Sequence, residues 1–107
     1  MDIRNISEMK CGWFIGDFDP SVFKTEGFEV GYKIHKKGES WDTHYHMIAT
    51  EINYMIRGKM TIGDETLVTG DIFTIYPGEV SDPVFLEDCE IIVVKVPSAK
   101  EDKYINT

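Results

Sequence analysis

Gly38-Glu39-Ser40-Trp41-Asp42-Thr43-His44-Tyr45-His46, then Met47-Ile48-Ala49-Thr50, then Glu51-Ile52-Asn53-Tyr54-Met55-Ile56-Arg57-Gly58, is the stretch on which the fold turns. It carries two of the chain's three histidines, one residue apart, inside a frame of two glycines and one glutamate. Successive side chains of a strand face opposite ways, so His44 and His46 emerge on one side and Tyr45 on the other. A tight reversal through residues 47–50 returns Glu51 beside them on a paired antiparallel strand. Two imidazoles and a carboxylate then converge on one point. That set is a divalent-metal site of the two-histidine, one-carboxylate type, with positions left open for water or substrate. The alternative is an exposed His-x-His pair with an unrelated glutamate, and the flanking glycines weigh against it.

Working outward, everything from Phe28 onward reads as short strands separated by turn chemistry. Phe28 to Ile34 alternates and ends at Lys37-Gly38. Ile52 to Ile56 ends at Arg57-Gly58. Met60 to Ile62 turns at Gly63-Asp64 into Thr66 to Val68. Ile72 to Tyr76 stops at Pro77-Gly78, and Pro83 to Leu86 turns into Glu90 to Val96. Before Phe28, single helical turns are expected near Ser7 to Lys10 and at Asp19 to Phe23, the latter opened by Pro20. Regular turns between short strands predict an all-β antiparallel sandwich or barrel. The strands Ile52 to Ile56 and Ile91 to Val96 are apolar on both faces, so both faces need cover. The lumen is one cover. A second layer is the other, either the cluster Trp13-Phe14-Ile15 with Phe18 or a second copy of the chain, which predicts a homodimer.

A length of 107 residues bounds the chain to one domain, the barrel spanning about 28–97, with segment 1–27 packing on it and a short polar tail. Nineteen acidic against eleven basic residues, a formal charge of −8, exclude a phosphate-tracking nucleic-acid surface and an anionic-membrane binder. Cys11 and Cys89 are expected as reduced thiols, with one long-range disulfide as the alternative. The N-terminus has neither a basic leader nor an apolar core, and a cytoplasmic location is expected.

The frame Gly38, His44, His46, Glu51, Gly58 resembles the first motif of the cupin superfamily at every fixed position. The family's second motif overlays Gly70, Tyr76, Gly78, Ser81 and Phe85, where only the glycines match. The resemblance covers roughly residues 30–97. Within it, His44-Tyr45-His46, Ala49 to Tyr54 and Pro77 to Pro83 are similar to small single-domain cupins. It implies a small antiparallel jelly-roll barrel, the double-stranded β-helix, and a divalent metal (Fe, Mn, Ni or Zn) in the lumen. In typical members the histidine at the Ser81 position completes a cage of three histidines and one glutamate. Its replacement leaves three outcomes open. His44, His46 and Glu51 bind metal alone with waters, or Asp82 or Glu79 supplies a replacement carboxylate, or the metal is lost and a polar pocket remains.

Asn53 and Met55 share the strand face of Glu51 and are expected to line the pocket, with Tyr76 and Ser81. His35 is expected at the surface, and Arg57 as a solvated turn charge. The implied function is a metal-binding cupin that binds or acts on a small polar organic molecule, with a sugar-related isomerase or epimerase and a dioxygenase among the reactions the superfamily allows. The alternative is a non-catalytic, ligand-sensing module with a degenerate metal site. No catalytic residue is assigned.

Overall fold

Strand phase decides which residues face inward, and the backbone follows the sequence's alternation closely. The computed structural model describes residues 1–105. Its strands are β1 (Trp13–Ile15), β2 (Glu29–His35), β3 (His44–His46), β4 (Thr50–Arg57), β5 (Lys59–Ile62), β6 (Glu65–Val68), β7 (Ile72–Ile75), β8 (Val80–Ser81), β9 (Val84–Phe85), β10 (Cys89–Val96) and β11 (Lys103–Ile105). A five-stranded sheet runs β1-β2-β10-β4-β7. Two three-stranded sheets, β11-β3-β8 and β6-β5-β9, complete the barrel. All strand pairs are antiparallel. Among the described residues no helix is long and apolar enough to cross a membrane.

Register aligns the inward positions into transverse rows. One row is Trp13, Gly31, Val93, Asn53 and Phe73; the next is Glu29, Lys95, Glu51 and Ile75. Gly31 has a packing reason, since a Cβ there would sit 2.7 Å from the Trp13 ring. Further along, Met55, Met60, Phe85, Cys89, Ile91 and Val93 form the apolar core. At the β4–β5 corner, Gly58 has φ +106°, and a Cβ would lie 2.5 Å from the Asp88 carbonyl oxygen. Only glycine fits there.

One local expectation holds with a shift of bounds, and two are corrected. The first helical turn exists as a 3-10 turn over Ile6–Glu8, with the Asn5 side chain accepting the Ser7 amide. Asp19 to Phe23 is not helical. Its backbone is spent on β1 instead, Val22 donating to the Phe14 carbonyl and Gly16 to that of Phe23. Nor does Trp13-Phe14-Ile15 cover the large sheet. It extends that sheet as an edge strand and sends Trp13 into the lumen. The outer face therefore stays open: Ile34 is 55% exposed and Ile72 71%, with Ile52, Tyr54 and Ile56 also exposed. Both cysteines are free thiols, Cys11 exposed and Cys89 buried. The polar tail forms β11 against β3; residues 106 and 107 lie outside the described residues.

Candidate metal centre

β3 delivers His44 and His46 to the lumen, and both are buried while Tyr45 stacks outward on Tyr104. Each imidazole is oriented from behind. His44 Nδ1 lies 3.1 Å from the Asp42 carbonyl oxygen, and His46 Nδ1 lies 3.0 Å from that of Asp102. A carbonyl only accepts, so Nδ1 carries a hydrogen in both rings, and Nε2 is the atom that offers a lone pair in the neutral ring. Burial holds the His44 imidazole below its usual pKa, which favours that neutral form. Backbone-carbonyl anchoring of this kind is how metal-ligating histidines are commonly held.

β4 supplies the carboxylate. Glu51 lies in the wall of the same cavity, about 240 Å³ in volume, as both histidines. Asn53 Nδ2 donates to Glu51 Oε2 at 3.2 Å, and Oε1 lies 3.9 Å from His46 Nε2. Two donors sharing an ion at about 2.1 Å each stand roughly 3–3.5 Å apart, so this pair is about half an ångström too wide. Among the described residues no three His, Cys, Asp or Glu side chains stand close enough to hold an ion as they are. In donor chemistry the residues fit a divalent ion, with two open Nε2 atoms and an oriented carboxylate; in spacing they are not a closed cage.

The remaining candidates divide. Asn53 and Ser81 line the cavity, Ser81 in register with His44 across β3–β8. Met55 faces inward but lies one row along, fully buried in the core. Tyr76 is exposed and outside the cavity wall. Asp82 points to solvent and accepts the Gly63 amide at 2.8 Å; Glu79 is exposed in a turn. Neither carboxylate reaches the lumen, because Ser81 and Pro83 take the inward phase around Asp82. Arg57 pairs with Glu90 away from the cavity.

His35 departs from its expected surface position. It is buried in the cavity wall, stacked on Phe85 with centroids 4.2 Å apart, and its Nδ1 is paired with Glu39. The phase Gly31, Lys33, His35 carried that signal. Asp102 was missed altogether. Its buried carboxylate accepts the amides of Met47, Ile48 and Ala49 and so ties the β3–β4 turn to the C-terminal segment. A second cavity of about 270 Å³ lies on that side, sharing His46, Lys95 and Lys103 with the first.

No protein-family model and no curated protein matches the sequence. Solved structures do match. KdgF from a Halomonas species superposes with a TM-score of 0.66 at 21% identity, over 72% of this chain and 74% of that one. The DMSP lyase DddQ from Ruegeria pomeroyi gives 0.75 at 14% identity over 91% of this chain, which spans only 51% of the lyase. A protein with a double-stranded β-helix domain from Klebsiella pneumoniae gives 0.70 at 19% identity, over 96% and 89%. This chain has the cupin fold.

Proposed function

We propose that the protein is a metal-dependent cupin whose lumen binds, and acts on, a small polar organic molecule. The observation that carries the reading is the pair of back-anchored imidazoles, His44 and His46, sharing a cavity with Glu51. In this reading His44, His46 and Glu51 hold the ion, and Asn53 keeps the carboxylate turned toward His46. A divalent ion of the Fe, Mn, Ni or Zn type supplies Lewis-acid or oxygen-activating chemistry there. Glu51 serves as a ligand and not as the base. Ser81 contributes a hydroxyl to the wall beside His44, where a neutral oxygen adds little to metal affinity and leaves room for ligand. That a DMSP lyase shares the fold supports a small organic ligand. The exposed apolar face of the large sheet supports a homodimer built on Ile34, Tyr54 and Ile72.

Elemental analysis of untagged protein purified without chelator tests the metal. Near-stoichiometric metal, lost in the His44→Ala/His46→Ala double variant, is expected. A metal-free parent that binds ligand would favour the second reading, a non-catalytic sensing module, which the missing fourth donor at Ser81 supports.

A further inference from the structure

The chain is acidic throughout, nineteen acidic residues against eleven basic, yet its lumen is inverted in charge. The cavity wall contains Lys33, Lys95 and Lys103 and a single carboxylate, Glu51. Strand phase puts two of these lysines there, Lys33 between Gly31 and His35 on β2, and Lys95 after Ile91 and Val93 on β10. An inward lysine is disfavoured by burial, which lowers the pKa of the Lys33 ammonium.

Protein partners offset this only in part. Lys95 Nζ lies 3.7 Å from Glu29, whose second oxygen is already taken by the Ser98 hydroxyl at 2.9 Å. Lys33 donates to the Cys11 carbonyl at 2.6 Å, and Lys103 lies 4.3 Å from the centroid of the Trp41 ring. Neither Lys33 nor Lys103 has an ion pair among the described residues. Lys33 and Lys95 both lie over the Trp13 ring, at 5.3 and 5.0 Å.

We propose that these three lysines recognise an oxyanion, so that the ligand of the lumen is a small organic anion bearing a carboxylate or a phosphate. The inference rests on the lumen being the ligand site and names the class of its occupant. Lysine is a compact point charge with three donors, which suits either group. The faces of Trp13, Trp41 and Phe73 offer the carbon skeleton an apolar wall. A cavity of about 240 Å³ falls below the usual range of about 300–1,000 Å³ for drug-sized ligands, so the skeleton is short.

Trp13 and Trp41 are the only two tryptophans, and both line the cavity, so intrinsic fluorescence reports its occupancy. Full-length protein, metal-loaded and chelator-treated in parallel, is titrated at fixed ionic strength with malonate, malate and glycerol 3-phosphate. Malonamide and glycerol are the neutral controls. At least one anion is expected to saturate, about tenfold or more tighter than its neutral counterpart. Lys33→Gln and Lys103→Gln should each weaken it about tenfold, while Lys33→Arg retains most of the affinity. The ranking of malonate against glycerol 3-phosphate identifies the source of the charge. Neutral compounds binding as tightly, no anion saturating at millimolar concentration, or full affinity in the lysine variants overturns the inference. Metal content of the same variants separates the two proposals. Anion binding lost with metal retained confirms the lysines' role, whereas a parent purified without chelator that holds no metal yet binds the anion sinks the metal reading alone.

Discussion

Asp102→Ala should loosen the fold and the candidate centre together. The Asp102 carboxylate accepts the amides of Met47 at 3.1 Å, Ile48 at 3.1 and 3.2 Å and Ala49 at 2.8 Å, and it is buried. Removing it leaves three donors without an acceptor. Ala49 is buried, so its amide takes most of a desolvation penalty of about 2 kcal/mol. Met47 and Ile48 are exposed and recover water, so about 0.5 kcal/mol each is expected from them. The sum is about 3 kcal/mol, read as a lower urea midpoint at unchanged slope. Asp102→Asn keeps one acceptor oxygen and should lose roughly 1–2 kcal/mol.

The main-chain carbonyl of residue 102 also receives His46 Nδ1, so a displaced C-terminal segment releases the imidazole. Metal affinity of folded Asp102→Asn should then fall about tenfold to a hundredfold, the usual loss when a partner behind a ligand is disturbed. A Asp102→Ala variant within about 0.5 kcal/mol of the parent would refute the reasoning. It would mean that water replaces the carboxylate at no loss.

Other perturbations probe separate parts of the molecule. Ser81→His places a third imidazole in register with His44, and retention of metal against a competing chelator should improve by roughly tenfold or more, 1.4 kcal/mol per factor of ten; unchanged retention would show that β8 does not present its side chain to the ion. Tyr54→Asp with Ile72→Asp charges the open sheet face and should convert a dimer to a monomer in light scattering, and a parent already monomeric at micromolar concentration would remove the dimer. Glu90 carries the pH prediction: the hydrogen bond from Tyr32, then that from Arg57, holds its carboxyl below the usual value of 4.5. A folded pKa below the unfolded one stabilises above pH 4.5 and is lost as pH falls through the folded value. The stability difference between parent and Glu90→Gln should therefore be largest near neutrality and shrink in acid, and a difference independent of pH would contradict the linkage.

What could be read from the residues was set by local rules, and what could not was set by pairings between distant segments. Period-two alternation is local, so the sequence alone assigns His44, His46, Glu51 and Asn53 to one face, and the lumen wall holds all four. The same rule applied to Gly31, Lys33 and His35 would have put a histidine and a lysine inside. For His35 the expectation is instead the surface, because a polar residue at a strand end usually faces water. Lys95 follows the same phase as Ile91 and Val93 at the end of an apolar run. Tyr76 and Asp82 went the other way: a single step of phase beside Pro77 or Pro83 decides in or out, and sequence spacing does not resolve one step. Asp102 had no local signal, because its role arises from β11 pairing with β3 across more than fifty residues. The tail is polar and short, and nothing in its periodicity marks it as a strand. The consequence is chemical as well as topological. The motif places the two imidazoles, but residues outside it, Asp102 behind His46 and the lysines of the same cavity wall, set how firmly the rings are held and what charge surrounds them.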